Sequence, residues 1–200
     1  MKVAIIKYNA GNVLSMSNAL NRLGIEPIVT ADPEELKSAD KVILPGVGEA
    51  STAMNSLKKN GLVEPIKSLT QPFLGVCLGL QLMCQHSEEN DTTCLGVFDM
   101  NVKKFEPKLK VPHIGWNRIL PVSNGQTEKN LLWEGLESGA YFYFVHSYYA
   151  ALDKSTIGNT SYINDFSAVI QRDNFSAIQA HPEKSGKDGE RFLANFLSIK

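Results

Sequence analysis

The chain is 200 residues long, enough to bury a substantial hydrophobic core, and we expect a single domain over 1–200. Its 20 basic and 21 acidic residues nearly cancel, so neither nucleic acid nor an anionic membrane surface is an expected partner. The three cysteines, Cys77, Cys84 and Cys94, have no C-x-x-C spacing, which indicates reduced thiols and a cytoplasmic location. No segment has the pattern of a signal peptide or a membrane span.

Strands and helices alternate along the first half of the chain. Apolar runs predict strands over 3–6, 28–29, 41–44 and 73–76, and helical patterns follow them over 13–23, 34–36, 50–59 and from 78. Asn12 is a suitable N-cap for the first helix, and Gly24 a suitable end. This alternation, without an internal repeat, predicts a mostly parallel sheet with right-handed crossovers. The functional groups of such sheets lie beyond the carboxyl ends of the strands.

The second half has a different pattern. From 94 to 162 the segments are short, rich in Val, Ile, Phe and Tyr, and interrupted by Pro, Gly and Asn. They predict antiparallel strands and hairpins, added to the edge of the sheet or packed beside it. The most aromatic stretch, 141–149, is predicted to be largely a core strand. A hairpin over 166–179 and an amphipathic helix over 190–197 complete the prediction.

One cysteine lies between two glycines at a predicted strand-to-helix boundary, in the run Gly75-Val76-Cys77-Leu78-Gly79. This is the thiol version of the G-x-S-x-G nucleophile elbow, in which small flanking residues permit a sharp turn that exposes the nucleophile. The free N–H groups and positive dipole end of the following helix favour a thiolate. A buried structural cysteine is the alternative interpretation.

A base for this thiol is best sought among the four histidines, and His181 is distinguished by Glu183 two residues later. If the preceding strand continues, both side chains point to the same face, where the carboxylate can orient the imidazole. Pro182 cannot donate a ladder hydrogen bond, so we expect the strand to end here or to lie at an edge. Either arrangement predicts that the pair lies at an open rim.

Three motifs together resemble the class I, or triad, glutamine amidotransferases. They are Pro45-Gly46-Val47-Gly48, Gly75-Val76-Cys77-Leu78-Gly79-Leu80-Gln81 and His181-Pro182-Glu183-Lys184-Ser185-Gly186. Their order and spacing are similar over essentially the whole chain. The first motif, together with 112–117 and 141–148, resembles the glutaminase subunits of imidazole glycerol phosphate synthase in histidine biosynthesis. Ala180 and Asn9 depart from the family, which commonly has Phe and Gly at those positions.

The resemblance implies a flavodoxin-like or Rossmann-like three-layer α/β sandwich, with a mostly parallel central sheet and antiparallel additions in the second half. It also implies that Cys77 attacks the carboxamide of L-glutamine, that His181 transfers protons, and that Glu183 orients the imidazole. A γ-glutamyl thioester would then be hydrolysed to glutamate. The oxyanion would be held by N–H groups of Val47, Gly48 and Leu78, although an ordinary tight turn is the alternative for the Gly46–Gly48 loop.

The same resemblance implies that the two ends of glutamine contact Gly48, Gln81, Ser147 and Tyr148. Gln81 also lies one helical turn after Cys77, on the same side. Ser147 and Tyr148 are adjacent residues of a predicted strand and should face opposite ways, so at most one should point at the site.

The resemblance implies no cofactor and no metal, but it does imply a partner. Ammonia would pass through a channel to a (β/α)8 cyclase subunit in a heterodimer, whose products would be imidazole glycerol phosphate and an aminoimidazole carboxamide ribotide. Asn12, His113 and Trp116 are candidates for the partner interface. For Trp116, a buried ring is the alternative.

Three other functions remain open at this point. The same glutaminase chemistry could serve another synthase, for example in surface-sugar amidotransfer, because the partner selects the acceptor. A stand-alone cysteine hydrolase or peptidase would act without a partner. A binding subunit with an inactive triad would tolerate Cys77→Ala in the assembled complex.

Overall fold

The computed structural model describes residues 1–9, 12–122 and 130–200. Its strands are β1 (Val3–Ile6), β2 (Ile28–Thr30), β3 (Lys41–Gly46), β4 (Phe73–Cys77), β5 (His86–Ser87), β6 (Thr92–Thr93), β7 (Asn101–Lys104), β8 (His113–Arg118), β9 (Leu120–Pro121), β10 (Tyr141–His146), β11 (Tyr148–Ala150), β12 (Thr156–Ser161), β13 (Asp165–Arg172) and β14 (Phe175–Ile178). Its α-helices are α1 (Val13–Arg22), α2 (Pro33–Lys37), α3 (Ala50–Lys59), α4 (Val63–Lys67), α5 (Leu78–Met83) and α6 (Gly186–Ser198). Two 3-10 helices span Leu131–Trp133 and Pro182–Lys184. Residues 10 and 11, between the first strand and helix, and 123–129 of the strand-rich half lie outside the described residues.

The central sheet has the strand order β2-β1-β3-β4-β14-β13-β12-β9. The first four strands and β14 are parallel to one another, whereas β13, β12 and β9 continue the sheet in antiparallel pairs. The predicted mostly parallel sheet with antiparallel additions from the second half is therefore confirmed.

Helices cover both faces of this sheet because its parallel strands are apolar on both sides. In β1, Ala4 and Ile6 pack with the buried side chains of α2, α3, α4 and α5, whereas Val3 and Ile5 pack with those of α1 and α6. Successive strand residues point to opposite faces, so one short apolar run contributes to both cores. The result is the predicted three-layer sandwich.

The helix ends follow from local chemistry. The Asn12 side chain accepts a hydrogen bond from the Ser15 N–H and caps α1, and Gly24 follows that helix with φ +77°. Both features agree with the prediction. The five-residue helix α4 was not predicted, because it is too short for a clear period and carries Pro65 in its first turn. No helix within the described residues combines the length and hydropathy needed to cross a membrane.

The remaining strands form two smaller sheets. β10 pairs with β8 over six residues, and β11 pairs with β7 in a four-stranded sheet that also contains β5 and β6. The prediction that the aromatic stretch is largely core holds for only one face of β10: Phe142 and Phe144 are fully buried, whereas Tyr141 is 45% exposed, because successive strand residues point to opposite faces. The chain passes from one small sheet to the other at Ser147.

The hairpin of β13 and β14 returns the chain to the centre of the main sheet. Asp173 has φ +53° in its turn, and β14 then pairs in parallel with β4, from Phe175 opposite Phe73 to Ile178 opposite Val76. Because β3, β4 and β14 are neighbouring parallel strands, their carboxyl ends meet at the same edge of the sheet. Three of the predicted functional segments follow these three ends.

Candidate active site

A cavity of about 290 Å³ lies at this edge of the sheet. All of the predicted catalytic, oxyanion and substrate residues line it except Glu183, which lies behind His181. The lining residues are Val47, Gly48, Cys77, Leu78, Gln81, Glu89, Pro112, Val145, His146, Ser147, Tyr148 and His181. Segments far apart in sequence are therefore brought together around one half-open cavity.

Cys77 occupies a strained turn between β4 and α5. Its φ is +55° and its ψ is −107°, a conformation that is rarely adopted by residues other than glycine. The turn is tight because the start of α5 packs directly on β3: a Cβ atom on Gly79 would lie 2.0 Å from the Leu44 carbonyl oxygen. The predicted elbow is present, and Cys77 is its residue at the cavity wall.

His181 and Glu183 form the second part of the site. His181 Nδ1 lies 2.8 Å from Glu183 Oε1, and the exposed fractions of the two side chains are only 1% and 2%. The His181 N–H donates to the Tyr143 carbonyl at 2.9 Å, and the Ser185 hydroxyl donates to the His181 carbonyl at 2.6 Å. The backbone is thus held on both sides of the imidazole.

The physical reason predicted for this pair was wrong, although the two residues do meet. β14 ends at Ile178, and Pro182–Lys184 forms a 3-10 helix, so strand periodicity does not apply. Instead the tight turn brings the Glu183 carboxylate back to the imidazole. The predicted open rim is also wrong, because the pair is buried and only the His181 ring reaches the cavity wall.

The electrostatics favour a protonated His181. Burial alone would lower its pKa, but the charge of the Cys77 thiolate and the bonded Glu183 carboxylate outweigh burial and raise the pKa to about 10. Among the described residues, His181 Nε2 has no hydrogen-bond partner, so it is the ring nitrogen left for the thiol proton. The arrangement suits a thiolate–imidazolium pair.

We expect the pKa of His181 to lie well above the usual histidine value of about 6.5. In Cys77→Ala this pKa should be lower than in the unsubstituted chain. The substitution removes the thiolate charge while the Glu183 carboxylate stays in place. The measurement is the pH dependence of the His181 imidazole signals by NMR, compared between the unsubstituted chain and Cys77→Ala. An unchanged His181 titration in Cys77→Ala would contradict a thiolate origin for the shift.

The loop after β3 also contributes to the cavity wall. Val47 and Gly48 both line the cavity, and Gly48 has φ +104°, which a side chain would disfavour. Leu78 follows the nucleophile at the start of α5, where backbone N–H groups have no helical acceptor. N–H donors from these two segments can therefore converge beside Cys77.

The start of this loop is fixed by contacts that the sequence did not reveal. The buried hydroxyl of Tyr8 donates to the Pro45 carbonyl at 2.6 Å, and burial raises the pKa of this phenol. Gly46 belongs to β3, where a Cβ would lie 2.6 Å from the Leu78 Cβ. Close packing therefore explains glycine at position 46.

Gln81 lies on the first turn of α5 and is almost fully buried. Its Nε2 donates to the Tyr148 carbonyl at 2.9 Å and to Gln179 Oε1 at 3.2 Å. Ser147 and Tyr148 both line the cavity, but the strand alternation from which we expected only one side chain to point at the site does not apply to them. The reason is that β10 ends at His146 and β11 begins at Tyr148, so strand alternation does not hold across Ser147.

Glu89 also lines the cavity, and sequence reasoning missed it. Its Oε2 accepts a hydrogen bond from the Ala50 N–H at 2.7 Å, and burial raises the pKa of the carboxyl. In the sequence it lies in the charged run from 88 to 91, which looks like a solvated surface. No local pattern distinguishes it from Glu88.

The three predicted interface residues have different positions. Asn12 is partly buried and caps α1, and the Trp116 side chain is 55% exposed, which rules out a buried ring. His113 is only 3% exposed, with Tyr162 stacked on its ring at 4.1 Å, so its predicted position at the surface is wrong.

Among the described residues, no group of three or more His, Cys, Asp or Glu could hold a metal ion.

Comparisons with known proteins agree with this geometry. The family model for glutamine amidotransferase class-I matches residues 5–199. The chain is 55% identical to imidazole glycerol phosphate synthase subunit HisH of Bacteroides thetaiotaomicron and 44% identical to that of Escherichia coli K12, each over 100% of both chains.

Solved structures with low sequence identity share the fold. A crystal structure titled glutamine amidotransferase superposes with a TM-score of 0.76 at 19% identity, covering 98% of this chain and 97% of the other. The structure of PurLQS from Thermotoga maritima gives 0.72 at 16% identity, with the same coverage of 98% and 97%. Because the family model spans nearly the whole chain and two full-length relatives exceed 40% identity, this chain belongs to the class I glutamine amidotransferase family.

Proposed function

We propose that the chain is the glutaminase subunit of an imidazole glycerol phosphate synthase, acting in histidine biosynthesis. The observation that carries the proposal is the cavity itself, where Cys77 at a strained elbow faces the same space as a His181 ring bonded to Glu183. Full-length identity of 55% to a subunit of that synthase supports the choice among glutaminases.

The reaction proceeds through the thiolate–imidazolium pair that the electrostatics favour. The Cys77 thiol gives its proton to His181 Nε2, and the thiolate attacks the side-chain carboxamide carbon of L-glutamine. As the tetrahedral intermediate collapses, the C–N bond breaks and His181 returns the proton to the departing ammonia. Water then cleaves the γ-glutamyl thioester, giving glutamate and restoring the thiol.

The oxyanion of each tetrahedral intermediate is held by backbone donors. The Leu78 N–H is one, and an N–H from Val47–Gly48 is the other. Preorganised donors of this kind are worth about 3–4 kcal/mol each in the transition state. The elbow at Cys77 and the positive φ of Gly48 support this assignment, because both shape the backbone around the nucleophile.

The remaining lining residues hold the amino-acid end of glutamine. Gly48, Gln81, Ser147 and Tyr148 contact its α-amino and α-carboxylate groups, and Glu89 pairs with the α-ammonium. A partly desolvated carboxylate gains the most from a cationic ligand, because the ligand restores the lost stabilisation of its charge.

We expect Glu89→Gln to raise the KM for glutamine about tenfold or more while changing kcat far less, because it removes a charge-assisted bond to a group remote from the reacting carbonyl. The matched control is Glu88→Gln, whose carboxylate bonds the Lys104 N–H and does not line the cavity. Steady-state glutamate release at varied glutamine concentration measures the KM and kcat of both variants. Equal KM values for the two variants would refute the role of Glu89.

A second subunit follows from the chemistry of the product. Ammonia released into water near neutral pH would be mostly protonated and lost as a nucleophile, so we propose direct transfer through a channel to a (β/α)8 cyclase in a heterodimer. There it would yield imidazole glycerol phosphate and an aminoimidazole carboxamide ribotide. The exposed Trp116 and Ile114 on β8, with Asn12 at the start of α1, are proposed for the interface.

The deciding experiment measures glutamate release from glutamine by the chain alone, and then with the cyclase subunit and its nucleotide ligand. A low rate that rises strongly with cyclase and ligand supports the proposal. A high rate indifferent to the cyclase would keep the chemistry and favour another synthase or a stand-alone hydrolase. No release in either setting would refute glutaminase activity.

Two further assignments accompany the proposal. We propose one domain over 1–200, supported by a central sheet that takes strands from both halves of the chain. We also propose a cytosolic location, supported by three cysteines that form no disulfide.

A further inference from the structure

Two buried histidines outside the triad lie beside the glutamine cavity. His113 in β8 and His146 in β10 are direct cross-strand partners, with His113 Nδ1 3.0 Å from His146 Nε2. Only 3% and 6% of their surfaces are exposed. The proton transfers of the mechanism use neither ring, so their polar contacts need another explanation.

The hydrogen bonds of this pair can run in only one direction when both rings are neutral. His146 Nδ1 lies 2.8 Å from the Tyr148 carbonyl, which can only accept, so Nδ1 carries the hydrogen. His146 Nε2 must then accept from His113 Nδ1. His113 Nε2 is left as an acceptor, with Asn117 Nδ2 at 3.5 Å.

Burial supports the neutral state of both rings. It lowers the pKa of His146 to about 3 and that of His113 to about 4, and the bond from His146 to the Tyr148 carbonyl only partly offsets the shift for His146. The chain of donors and acceptors from Asn117 to Tyr148 is therefore kept in a single arrangement near neutral pH.

The far end of this chain reaches residues assigned to the glutamine site. The Tyr148 carbonyl accepts a second hydrogen bond, from Gln81 Nε2 at 2.9 Å, and the same nitrogen donates to Gln179 Oε1. Gln179 Nε2 in turn lies 3.7 Å from the Cys77 sulfur. Because both acceptors hold the nitrogen of the Gln81 amide, its Oε1 is the atom left to accept from a ligand.

We propose that His113 and His146 are positioning residues for glutamine binding: their hydrogen-bonded pair fixes the Tyr148 carbonyl, and that carbonyl fixes the orientation of the Gln81 amide. This inference rests on the proposed function and deepens it. Without the His146 donor, the carbonyl loses one of its two hydrogen bonds, and the Gln81 amide loses the fixed acceptor that sets its orientation.

Two substitutions of His146 separate positioning from packing. In His146→Asn, the amide nitrogen takes the place of Nδ1 and still donates to the Tyr148 carbonyl. In His146→Gln, the amide reaches the place of Nε2 and still bonds His113, but the donor to Tyr148 is lost. The side chain of glutamine is also closer in size to that of histidine than the side chain of asparagine is. If His146 acted through packing alone, His146→Gln would therefore be the milder of the two substitutions.

We expect His146→Gln to raise the KM for glutamine by up to about tenfold, the range of one hydrogen bond, and His146→Asn to restore most of the affinity. Neither should lower kcat by a comparable factor. Equal KM values, or a larger effect in His146→Asn, would overturn the inference. If His146→Gln does not fold, the test passes to the other ring, where His113→Asn keeps a donor at the place of Nδ1 and His113→Leu does not.

A binding measurement separates this inference from the proposed function. Calorimetric titration of glutamine into Cys77→Ala, with and without each His146 change, reports affinity without turnover. If Cys77→Ala binds glutamine and the two His146 variants do not differ, only the positioning role fails. If the unsubstituted chain neither binds nor hydrolyses glutamine, the proposed function fails and the inference fails with it.

Discussion

Cys77→Ala should abolish glutamate release, lowering kcat by about 10⁴-fold or more, because no other group in the cavity can form the thioester. Every covalent step uses this sulfur, whereas the oxyanion donors and the substrate contacts remain. The KM should change little if binding is intact. The assay is steady-state glutamate production by this subunit together with the proposed cyclase, where we expect the rate of the unsubstituted chain to be highest.

Cys94→Ala is the matched control. Cys94 is also a buried thiol, but it lies in the core beside the Thr92 carbonyl, and burial holds its pKa near 12, far from the range of a nucleophile. It should retain full turnover. An electrophilic glutamine analogue should modify Cys77 and leave Cys94 intact, as mass spectrometry can establish. Residual turnover by Cys77→Ala above the level of a complex without this subunit would contradict the triad.

Gly79→Ala should destabilise the protein by about 3 kcal/mol or more, among the largest effects of adding a single methyl group. The new Cβ would lie 2.0 Å from the Leu44 carbonyl oxygen, a backbone atom of β3 that cannot move aside as a flexible side chain can. Either α5 shifts away from the sheet or β3 distorts. Urea denaturation followed by circular dichroism measures the loss in the free energy of unfolding.

Gly24→Ala serves as the comparison. Gly24 has φ +77° but nothing within 4 Å of an added Cβ, so the substitution meets only the conformational penalty of about 1 kcal/mol. A difference of about 2 kcal/mol between the variants isolates the contact with Leu44. Similar losses at both positions would show that α5 can move off β3 without cost. A folded Gly79→Ala should also lose activity, because the start of α5 carries the Leu78 N–H.

Local patterns were sufficient for most of the first half of the fold, though not for α4, β5 and β6. Short apolar runs mark the longer strands, and Asn12 and Gly24 mark the two ends of α1, because capping and periodicity act within a few residues. Long-range pairing is different: that β14 would insert between β4 and β13 cannot be read from the run Phe175–Ile178 itself. It depends on contacts with residues about a hundred positions earlier in the chain.

The site shows the same division. Cys77 carries a signal in its own flanking glycines, and Glu183 in its distance from His181. Glu89 carries none, because its place at the cavity follows from a hydrogen bond to the Ala50 N–H, 39 positions away. His113 was misplaced for a related reason: alternation along β8 cannot tell which face Tyr162 and Phe144 will cover.

The position of β14 also has a consequence for synthesis on the ribosome. β4 lies between β3 and β14, so one edge of the strand that carries the nucleophile stays unpaired until 175–178 have emerged. An exposed apolar strand edge is a site of aggregation, and chaperones would have most to protect at this stage. His181 and Glu183 emerge only after β14, so an unfinished chain holds the thiol without its base. A chain that ends before 181 therefore cannot hydrolyse glutamine.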